Sequence, residues 1–181
     1  SRFPIWAYDR GFTEETLKKW GCGTTEDNDL VIPIHDIDDR LVGSVTRRIN
    51  AVPKYMYSKG LQKSRVMFGA NKLEGHHKYI CITEGSLDTM WLTQNGYPSI
   101  AILGATMSKA QLDILRSLRT EEYILCFDND VAGQKAISTA MLDISTSFMV
   151  SYIKMPKKYK DVQDVRSEAL LKEVIAKRHY W

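Results

Sequence analysis

Four short apolar runs, Tyr79 to Thr83, Ser99 to Leu103, Tyr123 to Phe127 and Phe148 to Ile153, punctuate the second half of the sequence, each too short for most helices. Runs of this length suit strands buried on both faces. The gaps between them carry helix signals. Leu87, Met90 and Trp91 run toward a glycine stop at Gly96, Ser108 stands as a cap before Lys109, Asp130 opens Val131 to Ile144, and Ser167 opens Glu168 to Lys177. Strand then helix, repeated, predicts a parallel sheet with right-handed crossovers and helices packed on both faces.

The first part reads differently. Thr13 is placed to cap a helix through Trp20, and two extended runs, Leu30 to His35 and Leu41 to Ile49, flank a charged turn at residues 36–40. A boundary falls between Leu73 and Lys78. The expected fold class is therefore α/β, with a mixed α+β N-terminal subdomain over residues 1–78 and a parallel-sheet subdomain over residues 79–181. Trp6, Trp20, Trp91 and Trp181 read as core or interdomain packing. His76 and His77 read as exposed loop residues.

Charge is uneven along the chain. Residues 1–39 carry four basic and nine acidic side chains, residues 40–78 nine basic and one acidic, and the remainder twelve of each. A local basic segment steers a polyanion more strongly than the net charge of +3 suggests, although a solvated loop has the same composition. Cys22, Cys81 and Cys126 are too far apart for a CxxC zinc site and odd in number, so they read as buried reduced thiols. No apolar stretch approaches the roughly 20 residues that span a bilayer, and Ser1-Arg2-Phe3-Pro4 lacks the apolar core of a signal peptide. No membrane partner and a cytoplasmic location are expected.

In an open parallel sheet, the loops at the carboxyl ends of the strands meet in one crevice. Acids fall there repeatedly: Glu84 after the first run, Asp128 and Asp130 after the third, Asp161 and Asp164 beyond the fourth. Asp88 lies about one helical turn past Glu84. Singly, each has an ordinary explanation as a turn residue, helix cap or solvated charge beside Lys157, Lys158 and Lys160. Together they repel, and each raises the pKa of the others unless a cation intervenes. Oxygen ligands without nearby Cys or His suit Mg²⁺ or Mn²⁺ rather than zinc. A calcium loop starting at Asp128 fails, because Ala132 and Thr139 occupy ligand positions.

Thr83-Glu84-Gly85-Ser86-Leu87-Asp88, Phe127-Asp128-Asn129-Asp130-Val131-Ala132-Gly133 and Lys160-Asp161-Val162-Gln163-Asp164 resemble the three-part acidic signature of the Toprim domain. That domain is shared by bacterial-type primases, type IA and type II topoisomerases and some nucleases. In the first half, Arg10-Gly11-Phe12-Thr13, Trp20-Gly21-Cys22-Gly23, Val31-Ile32-Pro33-Ile34, Leu41 to Arg47, Pro53 to Ser58 and Lys63 to Gly69 resemble successive motifs of the RNA polymerase core of bacterial- and phage-type primases. The resemblance covers most of the chain.

It implies a Toprim-type sheet and a DNA-directed RNA polymerase, a nucleotidyltransferase that makes short RNA primers on single-stranded DNA from ribonucleoside triphosphates. By resemblance, Glu84, Asp128 and Asp130 are catalytic, with Asp161 joining them as metal ligands, and Asp88 and Asp164 support them. Arg47, Lys54, Lys63 and Arg65 contact template or triphosphate, with Lys54 foremost because Tyr55 and Tyr57 follow it as stacking faces. Gly104 and Thr106 shape the rim. The family's zinc-binding domain and helicase-docking region have no counterpart in this sequence, which suggests an excised fragment or a reduced phage-like enzyme, with any replicative helicase engaged through regions absent here. Two other classes remain open: a Toprim nuclease or topoisomerase fragment, and a non-catalytic single-stranded DNA-binding module of a helicase-primase.

Overall fold

The computed structural model describes residues 2–180; Trp181 lies outside the described residues. The chain opens with a five-residue helix α1 (Ile5–Asp9), which no sequence signal announced, and α2 (Glu14–Lys19). The Thr13 hydroxyl caps α2 by accepting from the Thr16 amide at 3.1 Å. Four antiparallel strands follow in sequential order: β1 (Gly23–Thr24), β2 (Leu30–His35), β3 (Leu41–Arg47) and β4 (Tyr55–Tyr57). In β2 the alternation of buried and half-buried residues puts Leu30, Ile32 and Ile34 against the core. The turn after β2 is fastened by Asp36, which accepts from the Asp38 and Arg40 amides, and β3 ends at Arg47, shorter than the apolar run suggests.

His76 and His77 form a short strand β5 (His76–His77) that pairs in parallel with β8 (Arg119–Thr120), so they are not free loop residues. The main sheet then builds as expected: β6 (Ile80–Thr83), α3 (Ser86–Gln94), β7 (Ser99–Ala101), α4 (Lys109–Ser117), β9 (Glu122–Leu125), α5 (Val131–Ile144), β10 (Met149–Tyr152) and α6 (Glu168–Ala176). Its order is β11-β10-β9-β6-β7, parallel except for the antiparallel edge strand β11 (His179–Tyr180), which was not foreseen. Ser108 and Gln111 form a reciprocal capping box on α4, and Ser167 caps α6.

Helices cover both faces. On one side Leu115 of α4 and Ala136, Ala140 and Met141 of α5 pack over Ile80, Ile82 and Tyr123. On the other, Leu171, Val174 and Ile175 of α6 pack over Cys81, Ile124 and Cys126. A third apolar cluster joins the halves of the chain, from Phe3, Leu17 and Trp20 through Phe68 to Leu87, Met90 and Trp91 of α3. Trp20 stacks on Phe68 at 4.8 Å between ring centroids, and Trp6 packs against the same cluster. All three cysteines are buried and free. Among the described residues no helix is long and apolar enough to cross a membrane.

Candidate active site

At the carboxyl ends of β6, β7 and β9 the chain leaves an open cleft of about 320 Å³. Glu84, Asp88, Asp128 and Asp161 line it together, with Gly104 at the rim and Lys160 beside them. Opposite these acids stand Tyr55, Tyr57 and Lys63 from the N-terminal part. Residues that are dozens of positions apart in sequence thus share one surface because parallel strands all end there.

Backbone chemistry fixes each acid. The turn after β6 is held by the Thr83 hydroxyl, which donates to the Gly85 carbonyl at 2.9 Å and shares a hydrogen bond with Thr89. That turn aims Glu84 at the next loop, where its carboxylate accepts from the Asp128 amide at 3.0 Å. Asp130 caps α5 by accepting from the Gly133 amide at 2.7 Å. Gly133 explains the spacing of the Asp-x-Asp-x-x-Gly motif: a Cβ there would collide with the Asp128 carbonyl and lie 2.9 Å from its carbon. Asp161 accepts from the Asp164 amide at 3.0 Å, and Asp164 in turn accepts from the Lys160 amide at 2.9 Å.

Electrostatic strain is concentrated here. Burial, then the Glu84 and Asp161 carboxylates, push Asp128 up to about 6, against the opposing pull of Lys160. Burial raises Glu84 as well, with the Asp128 amide lowering it and Asp130 adding to the rise. Asp88 is raised by burial and by Asp161 and Asp128, and restrained by the Gln163 amide and Arg10. Asp161 is raised by burial and by Asp164.

The basic residues divide. Lys63 is on the cleft wall, its ammonium 4.3 Å from the Tyr57 ring centroid. Lys54 is exposed but does not line the cleft. Arg47 is buried, with its guanidinium over the Tyr55 ring at 5.1 Å and the Trp6 ring at 5.8 Å, so it props the aromatic wall. Arg65 faces a separate groove beside Asp36 and Arg40. Thr106 and Asp130 are exposed and Asp164 is half-buried; none of the three lines the cleft, although Asp130 and Asp164 stand close enough to shift their neighbours. Tyr55 and Tyr57, two apart on β4, both face the cleft.

Two residues inside the quoted motifs do more than their positions signalled. Asn129 is the spacer between the two aspartates, yet its side-chain amide donates to the carbonyls of Met155, Pro156 and Tyr159, and its backbone amide to Lys160 at 2.6 Å. It staples the loop after β9 to the loop after β10. Arg10, from the first motif, supplies positive charge near Asp88 and Asp161.

Among the described residues, no group of three or more acidic, histidine or cysteine side chains is arranged to hold a metal ion. The donor set nonetheless fits a hard divalent ion. It consists of carboxylate oxygens with no thiol or imidazole in the cleft lining, and Mg²⁺ is ordinarily held by one or two carboxylates with waters and substrate phosphates completing its shell.

Comparison with known proteins places this geometry. Residues 81–166 match the Toprim-like family Toprim_2. The chain is 25% identical over 159 residues to a DNA primase of Mycoplasma genitalium, covering 83% of this chain and 26% of that protein. It is 32% identical over 177 residues to the DNA primase of Rickettsia bellii, covering 86% and 29%. It therefore spans little more than a quarter of the length of these curated relatives. In fold it is similar to the zinc-binding and RNA polymerase domains of Aquifex aeolicus primase, with TM-score 0.81, 21% identity, and coverage of 98% of this chain and 56% of that one. It is similar also to a primase catalytic domain bound to single-stranded DNA, with TM-score 0.80, 18% identity, and coverage of 97% and 71%. Acidic motifs at three strand ends, a Toprim-like match over residues 81–166 and primase relatives spanning both halves lead to one statement: the chain carries a Toprim-like domain and is similar over most of its length to DNA primases.

Proposed function

We propose that the chain is the catalytic core of a DNA primase, a nucleotidyltransferase that joins ribonucleotides on a single-stranded DNA template. The observation that carries this reading is the convergence of Glu84, Asp88, Asp128 and Asp161 on one cleft whose other wall is Lys63 and two tyrosines. A primase relative bound to single-stranded DNA supports the choice of template.

In the reaction a 3′-hydroxyl oxygen bonds to the α-phosphorus of a ribonucleoside triphosphate. The α–β phosphoanhydride bond breaks, pyrophosphate leaves, and the hydroxyl proton passes to a base. Glu84, half-buried and raised above its ordinary range, is suited to receive that proton. Asp128 and Asp161, with Asp130 beside them, would hold Mg²⁺ or Mn²⁺, which neutralises charge on the phosphate oxygens when bound. Asp88 and Asp164 support the cluster. Lys63 draws the triphosphate or template backbone toward the acids, and Tyr55 and Tyr57 offer faces for a base. We read Lys54, Arg65 and the other exposed basic side chains of residues 40–78 as the approach along which the template runs, and residues 79–181 as the subdomain that holds the chemistry.

The test is extension of an RNA oligonucleotide annealed to a DNA template, which removes any dependence on site choice. With ribonucleoside triphosphates and Mg²⁺ or Mn²⁺ the chain should lengthen the oligonucleotide, and Asp128→Ala should not. No extension by the unmodified chain with either ion would overturn the reading.

A further inference from the structure

The loop that presents Asp161 is long and strongly charged. Between the end of β10 at Tyr152 and Asp161 it carries Lys154, Lys157, Lys158 and Lys160, all exposed. Met155 is buried and Tyr159 packs partly against the cluster beneath α6. Apolar contact is non-directional, so it does not fix how far along its path the chain sits. Hydrogen bonds do. Among the described residues, those made by residues 154–160 run only to one another, to Asp164 and to Asn129.

Asn129 stands between Asp128 and Asp130. Its side-chain amide, with two N–H donors, meets three carbonyls, those of Met155 and Pro156 at 3.3 Å and of Tyr159 at 3.0 Å, and its backbone amide donates to the Lys160 carbonyl at 2.6 Å. Asp161 is the next residue. Beyond it, the almost wholly buried Gln163 ties the chain on the other side, with its backbone amide to Asp88 and its side chain to the Arg10 carbonyl at 3.2 Å. The approach of Asp161 to Asp128 brings two like charges into one cleft, and without an ion they push apart. The acids therefore do not hold themselves together; the segment before Asp161 is held by Asn129.

We propose that Asn129 is a positioning residue of the acidic centre: it keeps the Asp161 carboxylate in the cleft with Asp128 before a divalent ion binds. It acts through the loop and touches no reacting atom. The role rests on reading the acids as ligands of a divalent ion. Partners that orient metal ligands are typically worth about ten- to a hundred-fold in affinity for the ion.

The test combines three measurements on the 181-residue chain. Mn²⁺ binding, read from the loss of the free-ion electron paramagnetic resonance signal, should be saturable and about ten-fold or more weaker in Asn129→Ala. Asn129→Asp separates position from charge. It keeps the shape, turns a carboxylate toward the three carbonyls and adds a negative charge beside Asp128 and Asp130; charge alone makes it bind Mn²⁺ more tightly than the unmodified chain, and lost positioning makes it bind more weakly. In EDTA, trypsin should cut Asn129→Ala about ten-fold faster than the unmodified chain at Lys157 and Lys158, but equally at the exposed Arg116 of α4, where a general loss of stability speeds both. Hydrogen exchange needs no variant: in the unmodified chain in EDTA the Asn129 backbone amide should be protected about a hundred-fold or more over an exposed amide. Each of four results would overturn the proposal: no saturable Mn²⁺ binding, Asn129→Asp binding Mn²⁺ as tightly as the unmodified chain, trypsin rates at Lys157 and Lys158 that are unchanged or rise together with that at Arg116, or an unprotected Asn129 amide. Primer extension is scored separately. If the variants behave as expected but the unmodified chain extends nothing, the polymerase reading fails and the role of Asn129 stands; if the chain extends and the variants bind Mn²⁺ normally, the role fails and the polymerase stands.

Discussion

Asp128→Asn should stabilise the metal-free protein. The native environment moves this carboxyl from the ordinary 3.8 to about 6, chiefly by burial and by repulsion from Glu84 and Asp161. Wholly shielded, a displacement of that size is worth about 3 kcal/mol against the folded state at neutral pH. The side chain is only partly buried, so solvent screening reduces the penalty to about 1 kcal/mol, or about 2–4 °C in Tm for a chain of this length. The sign follows from proton counting. Between 3.8 and about 6 the unfolded chain has released the Asp128 proton while the native chain still holds it, so native stability falls as pH rises through that window. Asparagine carries no such proton. In thermal melts with EDTA at about pH 7.5, Asp128→Asn should therefore melt higher than the unmodified chain, and the gap should narrow as pH is lowered through about 6 toward about 4. Added Mg²⁺ should raise the Tm of the unmodified chain, because an ion that binds only the native state stabilises it, and should raise the variant less. A variant that melts lower in EDTA, or a gap that ignores pH, would refute the argument that the acids strain the fold.

Three further outcomes follow from particular contacts. Gly133→Ala forces a Cβ onto the Asp128 carbonyl and should cost about 2 kcal/mol, read as a Tm loss of about 4–8 °C, together with weaker Mg²⁺ stabilisation. Arg178→Ala strips the partner from Glu122, a buried carboxylate that Arg178 grips at 2.6 and 2.7 Å and that Ser151 also contacts; unfolding in urea should show a loss of about 3–5 kcal/mol. Lys63→Ala should weaken single-stranded DNA or triphosphate binding and, if it meets a phosphate, flatten the salt dependence of binding by about one counterion, as read from affinity titrations at several salt concentrations.

Much of the sheet was legible because its signals are local. A short apolar run followed by an acid fixes both a strand and the end at which its loop emerges, and this brought Glu84, Asp128 and Asp161 to one place. Ser108, Asp130 and Ser167 announced their helices because a capping side chain acts within three residues of itself. What escaped depends on distant partners. Choosing between Lys54 and Lys63 requires knowing how β4 lies against β3 and which side of that hairpin faces the acids, and residue spacing carries neither fact. Arg47 was expected at template or triphosphate by resemblance; its place over the Trp6 and Tyr55 rings follows from how α1 packs against the hairpin. Asn129 was visible as a spacer, but its three carbonyl partners lie in a loop 26 to 30 residues away. Strands of two residues, such as β5 and β11, have no periodicity to read.

The apolar seam that runs from Phe3 through Trp20 and Phe68 to Trp91 and Leu103 sets the gauge of the opening above it. The tyrosine-bearing bank and the carboxylate-bearing bank stand on a common footing, and spreading them means unstacking Trp20 from Phe68 and bringing indole surface into water. Whatever enters between the two banks must therefore conform to the width that this seam sets.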